Sequence, residues 1–345
     1  MIQKLIAAII IFCVLASFEP LVRAQQKDKA TESIADQYPR HTLERGSLKL
    51  SVFLPDAEKG YYRGTRFDWS GLVSQAEYKA HTFFGPWKTT HDPKNHDDAD
   101  GTAEEFGIVN PPGYIDAKVG GAFLKIGVGL LEKLKEDKYE FWKAYKILEP
   151  GVWKVSKEAD GIAFRHEIKS DTGWGYRYSK RITLAKAGDG FRIEHTLENT
   201  GQKAIQTDHY CHNFIRIDGK LIGPDYRLEF PFEPKPKKDL QKVALIKGKE
   251  ILFQSDLKEE EAFYTELDRT NGRVEDNQVL VTAAKPGAAL QIQGDVPLDH
   301  CHVFGVPRAI CPELFIKIDV APGNTKKWKT EYTFFVTGNR VKKEK

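Results

Sequence analysis

Apolar and polar residues alternate along most of the chain beyond residue 48. Residues 191–197 show the pattern clearly, since Phe191, Ile193 and Leu197 are apolar while the residues between them are mostly charged or polar. A period of two places these apolar side chains on one face of a β-strand. Similar runs predict further strands at residues 48–54, 162–168, 176–184, 279–284, 288–292 and 314–320.

Turn-forming pairs such as Thr200-Gly201 and Pro322-Gly323 separate these runs. Residues 122–138 are the best candidate for a helix, but two glycines make the first half of this segment a poor helix former. Many short strands that do not alternate with helices predict an all-β fold, either an antiparallel sandwich or a barrel.

The first 24 residues have the pattern of a signal peptide. Lys4 precedes an apolar run over residues 5–16, and Val22-Arg23-Ala24 precedes Gln25. The run is shorter than the roughly 20 residues that a membrane-spanning helix needs. We therefore expect cleavage after residue 24 and export to the periplasm or the extracellular space, with no membrane contact after cleavage.

Polarity and length predict the organisation of the remaining chain. Residues 25–45 are polar and lack a regular apolar period, so they are predicted to form a mobile leader. Residues 46–338 are predicted to form one domain, because all-β sandwiches often exceed 200 residues. The sequence does not indicate an oligomeric state.

The charge balance argues against polyanionic partners. The 345 residues carry a formal net charge of +3, and loss of the signal peptide lowers this value by one. Nucleic acids and anionic membranes call for clustered basic residues, so neither partner is expected. Cys211, Cys301 and Cys311 remain after cleavage. An oxidising compartment permits one disulfide among them, of undetermined pairing, but we interpret these cysteines as mainly structural.

Two candidate catalytic residues lie in strand-like segments. In the predicted strand at residues 209–214, Tyr210, His212 and Phe214 share one face, where a histidine between aromatic rings can act as a proton donor. The alternative is a core histidine satisfied by a neighbour. Glu313 begins a strand in apolar surroundings, where desolvation raises a carboxyl pKa towards the range of a general base. The alternative is an exposed carboxylate at a strand edge.

A third cluster combines arginine with tryptophan. Arg66 and Trp69 lie in residues 63–71, and together they offer the forked donor and the flat apolar face with which proteins hold sugar rings. A surface pair of Arg66 with Asp68, packed on Trp69, is equally compatible with the spacing.

Metal and nucleotide chemistry find little support in the sequence. His300 and His302 share one side of a strand, and Asp208, His209 and His212 lie close together along the chain. This spacing is unspecific, because four ligands would have to converge from distant segments, so no metal site is expected. The chain also lacks a Gly-x-Ser-x-Gly elbow and a P-loop.

The order of these clusters resembles the aldose 1-epimerase, or galactose mutarotase-like, families, in an exported bacterial-type form. In those families a leu-x-asn-thr-gly strand precedes a his-x-tyr/phe-phe strand, as residues 197–201 precede residues 212–214 here. A late glutamate followed by a pro-gly turn and an aromatic strand corresponds to Glu313 and residues 322–323. The resemblance covers most of residues 46–338 and implies an antiparallel β-supersandwich.

The resemblance also implies roles for individual residues. Glu313 is the base and His212 the acid that open and reclose a sugar hemiacetal, a reaction that needs no metal and no organic cofactor. Arg66 corresponds to the arginine that binds sugar hydroxyls, and Asp256 to a substrate-binding aspartate. The family's first histidine has no direct counterpart, which leaves room for a sugar other than an ordinary hexose, or for a modified one. Its candidate replacements are His81, His96, Glu104 and Glu105.

Two other functions remain open at this stage. A non-catalytic protein that binds glycans can use the same scaffold, because a fold does not determine a function. A polysaccharide lyase or hydrolase can use the same cleft, with Tyr210 or Tyr62 as the base of a lyase. In each case the expected ligand is a mono- or oligosaccharide.

Overall fold

A computed structural model describes residues 35–238, 240, 243–259, 261–268 and 272–336. The predicted signal peptide at residues 1–24 lies outside this part, so export remains a prediction from the sequence. None of the helices in the described ranges combines the length and the apolar composition that a membrane crossing requires.

Strands dominate the described chain, together with two short 3-10 helices at Ile217–Gly219 and Val274–Asp276. In chain order the first strands are β1 (Arg40–Arg45), β2 (Leu48–Phe53), β3 (Val73–Tyr78), β4 (His81–Thr82), β5 (Gly101–Phe106), β6 (Ala122–Lys125), β7 (Gly129–Glu132), β8 (Ile147–Glu149), β9 (Val152–Lys157), β10 (Gly161–Lys169) and β11 (Gly175–Leu184). The chain continues with β12 (Gly190–Asn199), β13 (Ile205–Phe214), β14 (Tyr226–Glu229), β15 (Ala244–Lys247), β16 (Glu250–Phe253), β17 (Phe263–Glu266), β18 (Gln278–Ala283), β19 (Ala288–Gly294), β20 (His300–Val306), β21 (Ala309–Val320) and β22 (Thr325–Val336).

These strands form four sheets in which the paired neighbours are antiparallel. A ten-stranded sheet has the order β15-β16-β14-β18-β19-β22-β12-β11-β10-β9, and a five-stranded sheet has the order β17-β20-β21-β13-β5. Strands β1 to β4 form one smaller sheet, and β6 to β8 form the other. The prediction of an all-β antiparallel fold is confirmed.

The alternation pattern located the strands well, but two segments differ from expectation. Residues 122–138 contain the antiparallel pair β6 and β7 in place of a helix, because positive φ angles at Gly127 and Gly129 suit a tight turn. Strand β1 lies within the predicted leader and pairs with β2 along its whole length. The folded part therefore begins at least as early as Arg40, and residue 45 is the wrong end for a leader.

The five-stranded sheet has two different faces. Its inner face packs on the ten-stranded sheet, where Phe106, Ile316 and Ile318 meet Tyr178 and Trp328 in a buried cluster. Its outer face is covered by aromatic side chains from the loop between β2 and β3 and from the sheet of β6 to β8. Cys211, Cys301 and Cys311 are buried and free, so none of them forms the disulfide that an oxidising compartment permits.

A glycine allows the four-stranded and five-stranded sheets to approach each other closely. Gly101, at the start of β5, has a φ of +64°, and a Cβ atom there would lie 1.8 Å from the carbonyl oxygen of Val73 on β3. The Val73 N–H also donates a hydrogen bond to the hydroxyl of Thr102, 3.1 Å away. Only glycine allows this approach of the two backbones.

We expect Gly101→Ala to lower the free energy of unfolding by more than about 3 kcal/mol, because it adds a backbone clash to the strain of a left-handed conformation. Gly120→Ala is the matched control. Gly120 has a φ of +80° with open space around it, so strain alone should cost about 1–2 kcal/mol. Urea unfolding of both variants checks this prediction, and equal losses would contradict it.

Candidate functional site

The outer face of the five-stranded sheet carries the candidate catalytic side chains. Tyr210 lies opposite Glu105, and His212 lies opposite Ala103, in the pairing of β13 with β5. Since directly paired residues point to the same side, the aromatic strand and Glu105 share this face. The predicted alternation along β13 is confirmed, because His209 turns to the inner face and contacts the ring of Trp328.

His212 and Glu313 lie side by side on this face. Strand β13 pairs with β21 at His209 and Ile316, and the same register recurs at Ile215 and Ile310. This register brings His212 across from Glu313, and the His212 Nε2 to Glu313 Oε1 distance is 3.2 Å. Both are almost fully buried, at 5% and 4% exposure. The alternative of an exposed carboxylate at position 313 is therefore excluded.

Burial shifts the two pKa values in opposite directions. Burial raises the pKa of Glu313 above its ordinary value, although His302 and Arg66 oppose this shift. Burial also lowers the pKa of His212 well below its ordinary value, and Arg66 adds to the effect. Both shifts favour the uncharged form of each side chain, as expected for groups removed from water.

A second histidine lies on the other side of Glu313. In the pairing of β20 with β21, His302 is directly opposite Glu313, and its Nδ1 lies 3.7 Å from Glu313 Oε2. The Tyr264 hydroxyl is 3.2 Å from the same nitrogen. The alternation of His300 and His302 was noticed in the sequence as a possible metal pair. Its register with Glu313 could not be read there, because the register depends on the turn between the two strands.

Arg66 belongs to a buried network centred on Glu105. Arg66 Nε donates a hydrogen bond to Glu105 Oε2 at 2.8 Å, and Lys125 Nζ donates one to Glu105 Oε1 at 2.9 Å. The Tyr210 hydroxyl donates to Glu105 Oε2 at 2.5 Å and accepts from Arg66 Nη2 at 2.9 Å. Burial alone would raise the pKa of Glu105, but Lys125, Arg66 and the Tyr210 hydrogen bond outweigh it and hold the pKa below its ordinary value.

Aromatic rings cover the Arg66 guanidinium. Its central carbon lies 4.5 Å from the centre of the Phe67 ring and 4.3 Å from that of Phe141, which belongs to the loop between β7 and β8. The His96 ring is 6.1 Å from Phe141, so His96 lies at the margin of this network. Of the proposed replacements for the missing histidine, His96 and Glu105 are therefore near Arg66.

The remaining predicted binding residues lie elsewhere. Trp69 is a core residue, 5% exposed, whose Nε1–H donates to the Gly64 carbonyl, so its ring is not a free sugar platform. His81 Nδ1 lies 2.8 Å from Asp218, and Asp256 is in the exposed loop after β16. In the described part of the chain, neither residue joins the contacts around Glu313.

The alternative pairing of Arg66 with Asp68 does not occur. Asp68 accepts hydrogen bonds from Ser70 and from the Tyr178 hydroxyl, and it lies 3.5 Å from Lys180 Nζ. Lys180 Nζ is also 2.5 Å from Glu104 Oε2. Asp68 thus belongs to a second charged network, between the two large sheets, that the sequence did not reveal.

Comparison with solved structures identifies the fold. A candidate aldose 1-epimerase from Escherichia coli K12 superposes with a TM-score of 0.54 at 16% identity, over 86% of this chain and 99% of the other. A galactose mutarotase-like protein from Lactobacillus casei ATCC 334 gives 0.53 at 13% identity, over 86% and 100%. A galactose mutarotase related enzyme from Lactobacillus acidophilus gives 0.51 at 12%, over 86% and 98%.

These matches confirm the galactose mutarotase-like fold that the sequence resemblance implied. At such identities they establish the architecture and leave the activity open. No family model matches the sequence, and no curated protein sequence matches it.

We expect Glu105→Gln to lower the free energy of unfolding by about 3–5 kcal/mol, because two buried cations then lose their shared carboxylate. Glu158→Gln is the control. The Glu158 carboxylate binds Arg181 through two hydrogen bonds, but this pair is solvent-exposed, so the loss should stay below about 1 kcal/mol. Chemical denaturation measures both values. A small loss at Glu105 would mean that the network contributes little to stability.

Proposed function

We propose that this protein interconverts the anomers of a sugar by acid–base ring opening, with Glu313 as the base and His212 as the acid. The observation that carries the proposal is the adjacency of these two groups, 3.2 Å apart, on one face of the sheet. The galactose mutarotase-like fold and the sequence pattern around both residues support it. The proposed substrate is a mono- or oligosaccharide.

The spacing of the pair suits a hemiacetal carbon. The anomeric hydroxyl and the ring oxygen are bonded to the same carbon, so the groups that exchange protons with them must lie within a few ångströms of each other. Glu313 accepts the proton of the anomeric hydroxyl while His212 gives a proton to the ring oxygen, and the ring carbon–oxygen bond breaks to form an aldehyde. Rotation about the adjacent carbon–carbon bond and reversal of both transfers close the other anomer.

The protonation states are set by the shared burial of the pair. Transfer in both directions requires one mobile proton on the pair, either on His212 or on Glu313. Burial raises the pKa of Glu313 and lowers that of His212, so it shifts the balance towards the form in which Glu313 holds the proton. Because the reaction is reversible, each group serves as acid in one direction and as base in the other.

Arg66 is the proposed contact to substrate hydroxyls. Two of its nitrogens bind Glu105 and Tyr210, which holds the guanidinium rigidly beside the catalytic pair. The Phe141 ring lies against the guanidinium, so the loop between β7 and β8 is expected to shift when a sugar enters. A rigid donor that is already in place lowers the entropic cost of holding the substrate.

A lyase mechanism finds less support. Burial raises the pKa of Tyr210 well above its ordinary value, and Glu105 adds to this shift. Burial likewise raises the pKa of Tyr62. A lyase base must be deprotonated to act, so neither phenol is suited to that role.

We expect Glu313→Gln and His212→Asn each to reduce the rate of anomer interconversion at least about 100-fold, since each removes one proton-transfer group. Sugar affinity should change far less, and the double variant should be little worse than either single one. Anomer-resolved NMR on a panel of free aldoses measures the rates.

The control for these variants is His41→Asn, which replaces a histidine of β1 and should leave the rate unchanged. Wild-type protein that binds sugars without accelerating interconversion would indicate a binding protein. Full activity in both catalytic variants would show that the reaction occurs elsewhere.

The catalysed rate should depend on pH in a bell shape, because proton transfer requires one proton on the pair, which gains a second proton at low pH and loses its proton at high pH. Burial raises the pKa of Glu313 and lowers that of His212, and the two limbs report the pair as a unit. The other groups that act on Glu313 are His302 and Arg66, which lower its pKa, and Glu105, which raises it.

Removal of His302 should therefore raise the pKa of Glu313, and His302→Gln should move the pH optimum of the catalysed rate to higher pH. The catalysed rate is measured against the uncatalysed rate at each pH. A pH optimum that stays in place in His302→Gln would contradict this prediction.

A further inference from the structure

Three side chains with metal-binding atoms converge between the two large sheets, away from the proposed reaction site. Glu104 on β5 and His209 on β13 belong to the five-stranded sheet, whereas His195 on β12 belongs to the ten-stranded sheet. All three are buried, with 4% exposure or less. Nothing in the anomer interconversion uses them, because they lie on the inner face of the sheet.

The two imidazoles of this cluster are incompletely satisfied by the protein. His195 Nε2, His209 Nε2 and Glu104 Oε1 are buried and have no hydrogen-bond partner among the described residues. His166 provides an internal comparison, since it is also fully buried in the ten-stranded sheet. Its Nδ1 lies 2.7 Å from the Tyr176 hydroxyl, and its Nε2 lies 2.8 Å from the Pro150 carbonyl. The fold can thus give a buried histidine two hydrogen bonds, whereas Nε2 of His195 and Nε2 of His209 both face the same oxygen, Glu104 Oε1, at 3.1 Å and 3.8 Å.

Hydrogen bonding places a proton on Nδ1 of His195. The Tyr178 hydroxyl donates its hydrogen to Asp68 Oδ2 at 3.2 Å and lies 3.0 Å from His195 Nδ1. A hydroxyl has one hydrogen, so Nδ1–H donates to the Tyr178 oxygen. Nε2 of His195 then faces Glu104 Oε1, 3.1 Å away, a contact that either a proton or a metal ion stabilises.

The three donor atoms have the spacing of ligands around one ion. His195 Nε2 and His209 Nε2 lie 3.1 Å and 3.8 Å from Glu104 Oε1, and all three atoms lie within 4.8 Å of one another. Ligands bound to zinc at about 2.1 Å in a tetrahedral arrangement are separated by about 3.4 Å. A single proton between His195 and Glu104 would leave His209 unsatisfied, whereas a metal ion satisfies all three atoms.

The surrounding charges tolerate a divalent ion. Glu104 and Asp68 each supply a negative charge, and Lys180 supplies one positive charge from 2.5 Å and 3.5 Å away. With neutral imidazoles this cluster has a net charge of −1, and a divalent ion makes it +1, which equals the charge of zinc held by two histidines and a glutamate.

We propose that Glu104, His195 and His209 bind one divalent transition-metal ion, for which zinc is the best match to two imidazoles and a carboxylate. The ion joins the five-stranded sheet to the ten-stranded sheet and has a structural role. The Tyr178 hydroxyl orients His195 as the outer-shell partner of a metal ligand does. This inference is independent of the proposed function and replaces the expectation, drawn from sequence spacing, that the chain has no metal site.

The test begins with protein unfolded in denaturant with a chelator and then refolded with or without Zn²⁺, because a buried site loads most readily during folding. Elemental analysis after gel filtration should find one zinc per chain, and zinc should raise the Tm by about 5 °C at a large excess over Kd. Refolding with Co²⁺ should produce the visible absorption bands of a four-coordinate site. This readout needs no variant.

Three variants locate the ion. His209→Gln should lose the bound zinc and the Tm increase, whereas His166→Gln, which also removes a buried histidine, should keep both. The double variant His300→Gln/His302→Gln should keep both as well. The proposal is overturned if wild-type protein refolded with excess Zn²⁺ holds less than about 0.1 equivalent. It is also overturned if His209→Gln binds zinc as the wild type does.

Discussion

Two adjacent glutamates on one strand set the layout of this protein. Glu104 and Glu105 follow each other on β5, so the period of a β-strand turns Glu104 into the sandwich and Glu105 to the outer face of the five-stranded sheet. Both carboxylates are almost completely buried, and a buried charge is tolerated only when it is paired. Glu104 forms an ion pair with Lys180 of β11, and Glu105 forms one with Lys125 of β6. Strand β5 is thereby tied to a different sheet on each of its faces.

The candidate site follows from this arrangement. Since Glu105 pairs with both Arg66 and Lys125 at the edge of the sheet, the neighbouring strands can bring His212, Glu313 and His302 together in little water. The same burial that makes this face costly for charges raises the pKa of Glu313 and lowers that of His212. The pairing of the buried charges and the pKa shifts of the acid–base pair therefore have one physical origin, the exclusion of water.

The sequence predicted candidate residues more reliably from a pattern along a strand than from residue type alone. His212 was assigned to the face that it shares with Tyr210 and Phe214, because alternation along β13 is a property of five or six consecutive residues, and the structure agrees. Trp69 and His81 were chosen for their residue types alone. In the structure Trp69 is a core residue, and His81 pairs with Asp218. Residue type alone does not distinguish a binding ring from a core ring, because both bury apolar area.

The sequence by itself determined the strands, the turns between them and the face on which most side chains of a strand lie, since these depend on neighbouring residues and on the two-residue period of extended chain. It also indicated burial for Glu313 from its apolar surroundings, but not its place in the strand, since β21 begins at Ala309 and Glu313 lies within it and not at its head. Only the tertiary structure decided which strands pair and in what register, and hence that His302 lies opposite Glu313 and that Glu104 meets His195. Those contacts join residues far apart in the chain, and their geometry depends on the packing of whole sheets, which no local pattern encodes.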